Sequence, residues 1–319
     1  GAVAGDWVFL RLNMDNAAMT GSQYFNIEGG DSANPAALEI GFTSSPVTNT
    51  WNGGSTDWAT PGNWSEGSVP TATENVVIPD LANDPIIGAT TGAVANDITT
   101  NDVLTIASGG SLIISGTSTG NITYNRTLTN GSQWYFMSSP VINETYDATW
   151  VTTNSILSGQ NNNRGISTYD NTSLDTDSGA GDTATGNWRY LQSDDSNSGT
   201  FNVGQGYGII RDGSGTVSFT GTGLHTTNQT FGITQGASNN FNMVGNPFTS
   251  YLNLGDFFVD NPITTVLVAT EAYFWNGVDN YNTRTSALNS TYEIAPGQGF
   301  FIEAAADTDL TFDINDTNH

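Results

Sequence analysis

The chain has 319 residues, enough for two or three domains with a substantial buried core. It carries 31 acidic and 6 basic residues, for a formal net charge of −25, and its basic residues are arginines scattered singly along the sequence. Because a phosphate backbone is bound by clustered cations, we expect neither nucleic acid nor anionic lipid as a partner. Cysteine and lysine are absent, which excludes disulfides, thiolate metal sites and lysine chemistry.

The low content of charged residues, 12%, means that the surface consists mainly of Asn, Thr, Ser and Gly. This composition favours an extracellular or cell-surface β-protein over a cytosolic enzyme. No apolar run approaches the roughly 20 residues that span a bilayer, so we expect no membrane insertion. No signal peptide is recognised, and Gly1 is interpreted as a processed or truncated start.

Residues 1–47 contain three short strand candidates, in WVFLRLNM from Trp7, YFNIEG from Tyr24 and ALEIGF from Ala37. They resemble the final strands of jelly-roll modules in secreted polysaccharide-processing proteins. We therefore expect either the terminal strands of a β-domain or a donor-strand segment. In the second case Trp7 to Met14 would complete the sheet of a neighbouring copy, and the chain would self-associate by strand addition.

Residues 48–130 begin with Trp51, Trp58 and Trp64, which are separated by glycines and a proline that no regular helix tolerates. These rings are predicted to lie on loops, either as a cap over the end of the next domain or as a sugar-stacking platform. Short runs of Val, Ile, Leu and Thr follow, bounded by Asn, Asp and Gly. They predict a short β-solenoid, with a β-sandwich as the alternative.

Residues 131–319 carry one order of motifs twice, which predicts β-repeat 1 at 131–238 and β-repeat 2 at 239–319. In each copy an aromatic strand ends at a proline, and a second aromatic strand, a GQG turn and an alternating strand follow. The copies are marked by WYFMSSPV from Trp134 and FNVGQGYGII from Phe201, and by FNMVGNPF from Phe241 and YEIAPGQGFFI from Tyr292. The GQG turns are predicted to have positive φ, with Gln205 and Gln298 bonded to backbone groups.

The predicted fold class is therefore all-β. A short β-solenoid or sandwich is followed by a duplicated β-sandwich unit, with a jelly-roll-like fragment at the N-terminus.

Six motifs keep a fixed order between residues 51 and 319: WNGGSTDWATPGNWSEGSVPTATENVVIP, LTIASGGSLIISG, WYFMSSPV, FNMVGNPF, YFWNG and APGQGFFIEA. This set resembles a region of large surface and secreted proteins of the Bacteroidota, where it typically precedes a C-terminal sorting domain of the type IX secretion system. The resemblance implies an all-β fold, a cell-surface or released location and a non-catalytic accessory or adhesive role. No sorting domain follows His319, so we expect a mature form or a fragment.

Few residues offer catalytic chemistry, and we predict that the chain is not an enzyme. His225 is the one histidine away from the chain end, and no nucleophile turn lies near it. A glycosidase would need two facing carboxylates, for which Glu271, Glu293 and Glu303 are the candidates. An edge position bonded to solvent or to a cap is the ordinary interpretation of such residues.

Acidic loops offer the one cofactor hypothesis, a Ca²⁺ ion bound by Asp175, Asp177 and Asp182. A solvated acidic loop is the alternative. Ser32 and Thr183 are predicted O-glycosylation sites, because each lies in an Asp-Ser/Thr-Ala tripeptide that related Bacteroidota secreted proteins modify.

Two functions remain open. The first is a non-catalytic extracellular structural or adhesive protein: a surface adhesin, stalk or filament subunit. The alternative is a carbohydrate-binding accessory region of a secreted polysaccharide-degrading enzyme. Its polysaccharide would stack on the three tryptophans of residues 48–130, or on Tyr273, Trp275 and Tyr281. Tyr273 and Trp275 share one face of a period-two strand, so burial in a core is the competing interpretation.

Overall fold

The computed structural model describes residues 23–26, 37–40, 45–160, 162–175, 184–194 and 198–319. The chain divides into two units, Gly1–Pro46 and Val47–His319. In the first unit β1 (Gln23–Asn26) pairs antiparallel with β2 (Ala37–Ile40). The donor segment proposed for strand addition, Trp7 to Met14, lies outside the described residues, so strand addition stays a prediction.

The second unit begins with a short β-solenoid. Its strands are β3 (Thr48–Thr50), β4 (Asn75–Ile78), β5 (Ile86–Ile87), β6 (Gly92–Ala95), β7 (Ile98–Ile106), β8 (Ser111–Ile114) and β9 (Ser118–Leu128). β3, β4, β7 and β9 pair in parallel in that order, β5 joins β7, and β6 pairs in parallel with β8. Successive parallel strands are the mark of stacked rungs, which confirms the solenoid over the sandwich.

β-Repeat 1 follows the solenoid. Its elements are β10 (Trp134–Met137), β11 (Thr145–Tyr146), α1 (Ala148–Thr153), β12 (Asn163–Tyr169), β13 (Ala184–Thr185), β14 (Trp188–Gln192), β15 (Gly199–Thr200), β16 (Tyr207–Ile210) and β17 (Gly215–Gly221). The sheet order is β10-β16-β12-β14-β13. β11 pairs with β15, and α1 follows β11 in the chain. The Asp147 side chain caps the start of α1 by accepting from the Trp150 N–H.

β-Repeat 2 has the same plan. Its elements are β18 (Gln229–Ile233), β19 (Phe241–Gly245), β20 (Tyr251–Asn253), α2 (Leu254–Asp260), β21 (Glu271–Trp275), β22 (Tyr281–Thr285), α3 (Ser286–Asn289), β23 (Glu293–Ile294), β24 (Gly299–Glu303), β25 (Thr308–Phe312) and β26 (Thr317–Asn318). Its sheet order, β19-β24-β21-β22, matches β10-β16-β12-β14 strand for strand. The described residues are thus all-β with short helices, as predicted, and the two copies share one topology.

Strand pairing also shows where the repeats begin. β9 lies between β7, with which it is parallel, and β17, with which it is antiparallel, so one sheet continues from the solenoid into repeat 1. In the second copy β18 and β25 pair as β9 and β17 do. The expected boundary at residue 239 therefore falls after a strand that pairs within repeat 2.

The two repeats contact each other through their GQG turns. Gly204 and Gly297 have φ of 72° and 60°, which confirms the predicted positive-φ turns. Each turn pairs with the first sheet strand of the opposite repeat, Met137 with Gln298 and Gln205 with Val244. Such reciprocal contacts are those of two units related by an approximate twofold axis.

The GQG glutamines differ in what their side chains bond. Oε1 of Gln298 accepts a backbone hydrogen bond from Ala295 at 3.0 Å, as expected. Oε1 of Gln205 instead accepts from the side chains of Asn202 and Tyr207, so the prediction of a backbone bond is wrong for Gln205.

The apolar core forms two clusters. One runs from the solenoid ladder, with Ile78, Ile98 and Ile122 fully buried, into repeat 1, and the other fills repeat 2. None of the described helices is long and apolar enough to cross a membrane.

Candidate functional site

The sheets of the two repeats each place a row of side chains on one face. In repeat 1 the register aligns Phe136 with Gly208, Gly208 with Ser167, and Ser167 with Tyr190. Directly paired residues of a sheet lie on the same face, and so do residues two positions away along each strand. Trp134, Tyr169 and Trp188 therefore join this face.

The corresponding row of repeat 2 is Met243, Phe301, Tyr273 and Thr283, again aligned by register. Two positions along the strands lie Phe241, Trp275 and Tyr281. Each sheet thus ends in a cross-strand aromatic pair, Tyr169 with Trp188 in repeat 1 and Trp275 with Tyr281 in repeat 2.

These two pairs meet around Phe136 and Phe301. The Phe136 ring centroid lies 5.9 Å from that of Trp188, 5.9 Å from Trp275 and 6.1 Å from Tyr281. Phe301 makes an edge contact with Phe136 at 5.5 Å and with Tyr169 at 4.8 Å. The aromatic ends of both sheets consequently form one cluster rather than two separate cores.

The cluster encloses a partly open cavity of about 200 Å³, which we call the aromatic pocket. Six aromatic side chains and one serine line it: Trp134, Phe136, Ser167, Trp188, Tyr190, Trp275 and Tyr281. Tyr281 is 38% exposed, and the other five rings are half-buried. The lining combines apolar ring faces with the hydroxyls of Ser167, Tyr190 and Tyr281 and the indole N–H groups of three tryptophans, and it has no charged side chain among the described residues.

A second cavity, of about 160 Å³, lies on the repeat 2 side and is called here the buttressed pocket. Its lining residues are Tyr169, Trp188, Phe241, Tyr273, Tyr281 and Phe301. It shares Trp188 and Tyr281 with the aromatic pocket. These two rings therefore contribute to both cavities.

Residue 208, beneath the aromatic pocket, is glycine, and Ser167 and two tryptophan rings lie close against its α-carbon. A Cβ atom at Gly208 would lie 2.8 Å from Oγ of Ser167 and 3.4 Å from the rings of Trp134 and Trp188. Any side chain at this position would therefore grow between the two tryptophans. At the equivalent position of repeat 2 the sequence has Phe301, which is 5% exposed.

The carboxylates nearest the buttressed pocket bond a phenol. The Tyr273 hydroxyl lies 2.9 Å from Oε2 of Glu271 and 3.0 Å from Oε1 of Glu303. Burial, followed by the hydrogen bonds and negative charges of the two glutamates, raises the pKa of Tyr273. Glu293, the third candidate acid, accepts instead from the side-chain amides of Asn253 and Asn318. Sequence spacing alone did not reveal that Glu271 and Glu303 meet.

The charged group next to the aromatic pocket is paired. Arg189 lies 3.2 Å from a carboxylate oxygen of Asp170 and donates to the Ser173 and Gly186 carbonyls. Burial raises the pKa of Asp170, but hydrogen bonds from Thr172 and the charge of Arg189 outweigh it and lower that pKa overall. This pair lies at the hairpin end of repeat 1, beside Tyr169 and Trp188 in sequence.

The tryptophans of the predicted sugar platform are buried, which contradicts an exposed stacking surface. Trp51, Trp58 and Trp64 are 1%, 0% and 2% exposed, and Trp64 makes edge contacts with the other two rings at 4.9 and 4.6 Å. Indole N–H groups of Trp51 and Trp64 donate to the backbone carbonyls of Asn83 and Trp58. The Trp58 indole N–H is buried without a partner, but burial of three apolar rings outweighs this cost, so a core position wins over a platform.

The loop that carries these rings also covers the edge of β3. The Ser65 N–H donates to the Thr50 carbonyl, the Asn52 N–H donates to the Asn63 carbonyl, and the Asn49 side chain bonds Ser68 and Glu66. The first rung of the solenoid is thereby closed, as the cap interpretation requires.

Other candidates are placed apart from the aromatic pocket or lie outside the described residues. His225 is partly buried, and burial lowers its pKa to about 4, so it is neutral near pH 7. Asp175 donates its N–H to Gly186, while Asp177, Asp182, Ser32 and Thr183 lie outside the described residues. Among the residues that are described, no group of three or more His, Asp and Glu side chains is placed to hold a metal ion. The Ca²⁺ and glycosylation sites stay predictions.

Sequence reasoning named Trp275 and Tyr281 of this pocket and missed its other rings. Trp134, Phe136, Trp188 and Tyr190 belong to repeat 1 and were assigned to framework strands. The duplication itself is the signal that could have identified rings of repeat 1. Aligning the two copies makes Trp188 equivalent to Tyr281 and Tyr169 equivalent to Trp275.

Comparison with known families gives one match, to a domain of unknown function (DUF8693) over residues 50–117. The matched segment covers the tryptophan-rich cap and the solenoid as far as the residue before β9, and it leaves both repeats outside. No curated protein and no solved structure matches the chain.

Proposed function

We propose that this chain is a non-catalytic, extracellular adhesive protein that holds a polysaccharide in its aromatic pocket. The observation that carries the proposal is the pocket itself, with six partly exposed rings around one serine hydroxyl. Ligand sites are typically concave and apolar, with a few polar groups that fix orientation. A sugar ring suits such a lining, because its C–H faces pack on aromatic rings while its hydroxyls find polar partners.

The charge of the molecule favours a neutral polysaccharide. With a net charge of −25 and an uncharged lining, the pocket offers a uronate or a sulfated sugar no compensating cation. Arg189, the nearest basic residue in sequence, is already paired with Asp170. Burying an unpaired anion in such a site is costly, whereas a neutral ring meets no such cost.

A non-catalytic role is supported by the acids beside the cluster. Glu271 and Glu303 are both engaged by the Tyr273 hydroxyl, and Glu293 is engaged by two amides on another sheet. Hydrogen bonds of this kind give the three carboxylates a structural role. The extracellular location rests on the Asn-, Thr-, Ser- and Gly-rich composition and on the sequence resemblance to surface proteins of the Bacteroidota.

The test is binding of the full chain to a polysaccharide panel of cellulose, chitin, xylan, mannan, laminarin and alginate, measured by pull-down and affinity electrophoresis. We expect retention by at least one neutral polymer and none by alginate. Trp188→Ala should lower this retention at least tenfold, because it removes a ring from the wall of the pocket.

The matched control is Tyr135→Ala. Tyr135 lies on β10 between Trp134 and Phe136, so it projects from the opposite face of the same strand and packs against the core. It should change stability but not retention. If the folded wild-type chain binds no member of the panel, the carbohydrate proposal is wrong. Release of reducing sugar from any bound polymer would overturn the non-catalytic part.

A further inference from the structure

The aromatic pocket and the buttressed pocket are equivalent under the exchange of the two repeats. The aligned registers relate Trp134 to Phe241, Ser167 to Tyr273, and Trp188 to Tyr281. They also relate Tyr169 to Trp275. The rings that repeat 2 lends to the aromatic pocket, Trp275 and Tyr281, are thus the counterparts of those that repeat 1 lends to the buttressed pocket.

The equivalent pockets differ in their floors. Repeat 1 has Gly208 and Ser167 paired across neighbouring strands, and repeat 2 has Phe301 and Tyr273 in the same register. The larger pair fills part of the space: Phe301 packs against Phe136, Phe241 and Tyr281, and the Tyr273 hydroxyl is hydrogen-bonded to Glu271 and Glu303. Repeat 1 has the smaller pair, and its cavity is the larger of the two, about 200 Å³ against about 160 Å³.

We infer that the chain binds one sugar ring per molecule, over Gly208, and that Gly208 and Ser167 determine this specificity. The buttressed pocket is the equivalent site, narrowed by Phe301 and Tyr273 to about 160 Å³, and it serves as support for the shared rings. This inference rests on the proposed function and deepens it, because it assigns the number of sites, the size of the ligand and the hydrogen-bonding group.

The size of the cavity supports one ring. Its volume of about 200 Å³ is below the roughly 300–1,000 Å³ of pockets that enclose drug-sized ligands. A single pyranose of a longer chain fits this scale, with the neighbouring sugars lying outside the pocket.

Ser167 is the one residue of the lining that is fully buried. It is 3% exposed, it sits at the floor beside the α-carbon of Gly208, and its backbone is paired on both sides of β12. Its hydroxyl can donate to or accept from a sugar hydroxyl. A ligand hydroxyl at this depth is therefore oriented, whereas the aromatic rings alone would tolerate many orientations.

The test uses the full chain and four neutral hexasaccharides, derived from cellulose, xylan, mannan and laminarin, in isothermal titration calorimetry with tryptophan fluorescence as a second readout. Wild type should bind at least one probe with a stoichiometry of one. Gly208→Phe should lower its affinity at least tenfold, because the introduced ring reproduces the filling found at Phe301. Ser167→Ala should lower the affinity by about two- to tenfold, the range expected for one neutral hydrogen bond.

The gain-of-site variant is Phe301→Gly combined with Tyr273→Ser. It should open the second pocket and raise the stoichiometry from one to two, and circular dichroism checks that it remains folded. Where this variant does not fold, the two repeat 1 variants decide alone. Unchanged binding by folded Gly208→Phe would place the ligand elsewhere and overturn the inference while leaving sugar binding intact.

Two further outcomes separate the inference from the function on which it rests. Wild type that binds none of the hexasaccharides contradicts the proposed function itself. Binding of tetramethylammonium, but of no hexasaccharide, would identify the rings as a cage for an organic cation and overturn the assignment of a sugar.

Discussion

The backbone N–H of Ser138 donates to the carbonyl oxygen of Gly297 at 2.8 Å, and the equivalent N–H of Gly245 donates to Gly204 at 3.0 Å. Each repeat therefore completes the sheet edge of the other with its own GQG turn. Because the contact is made twice, neither copy can shift without breaking a bond of its partner. This exchange holds in place the aromatic ends that form the two pockets.

The backbones of the two repeats approach each other so closely at these turns that glycine is needed there for stability. A Cβ at Gly299 would lie 2.8 Å from the Met137 nitrogen, and one at Gly206 would lie 2.7 Å from the Val244 oxygen. We expect Gly299→Ala and Gly206→Ala each to lower the free energy of unfolding by about 1–3 kcal/mol, the usual cost of overpacking. Urea denaturation measures it. Gly62→Ala is the control, since nothing lies within 4 Å of its added methyl group, and equal effects at all three positions would contradict the close-approach argument.

The tryptophan cap should contribute to the stability of the fold and not to ligand binding. Trp64 contacts the rings of Trp51 and Trp58 and is 2% exposed. Trp64→Ala is expected to cost about 3–5 kcal/mol, as large-to-alanine changes in cores do. Thermal unfolding measures this loss, and binding to the panel polysaccharide is measured below the transition. Loss of sugar binding in a variant that is still folded would restore the platform hypothesis for this trio.

Asp316 should make the protein less stable as pH rises. Burial, then the charges of Asp260, Asp313 and Asp256, raises its pKa from 3.8 to about 7. The folded state then holds a proton that the unfolded state has released, so stability is lost between about pH 4 and pH 7 and is constant above. Because Asp316 is partly open to solvent, we expect Asp316→Asn to stabilise by only on the order of 1 kcal/mol at pH 8.

The difference between Asp316→Asn and wild type should vanish near pH 4. Chemical denaturation at pH 4, 6 and 8 measures it. Asp309→Asn removes the same charge at an exposed position and is the control. A gain of the same size at all three pH values would show that the effect is not due to this titration.

His225 should make the protein less stable as the pH falls below about 6.5, the opposite of the effect of Asp316. Burial lowers its pKa from 6.5 to about 4, so the unfolded state takes up a proton first as the pH falls. Its contribution is complete above pH 6.5 and is lost progressively toward pH 4, by up to about 3 kcal/mol. His225→Gln should flatten this acid limb when stability is measured from pH 7.5 to 4. An unchanged limb would mean that other groups govern acid unfolding.

The repeats and the solenoid were predictable because their signals are local. Paired prolines, GQG turns and runs of β-branched residues recur at matching places in the sequence, and each follows from turn and strand chemistry. The buried tryptophans were harder, because a loop-borne ring is buried or exposed according to what packs over it. Here the segment folds back on β3 and covers it, a contact that sequence spacing does not encode.

The aromatic pocket depends on contacts between distant strands. Phe136 and Trp275 are 139 positions apart in the sequence, yet their rings stack at 5.9 Å. The role of Gly208 can be recognised only once the strand register is known, because a glycine within GYGII indicates by itself only a weakened strand. Its meaning comes from Phe301, at the same place in the other copy.

The position of β9 has a mechanical consequence. Hydrogen bonds to β7 occupy one edge of β9, and hydrogen bonds to β17 occupy the other. A force transmitted along this strand loads both sets in shear at once, so they must rupture together rather than open one by one like a zipper. The solenoid and repeat 1 would then resist pulling as a single body, because β9 is a strand of both.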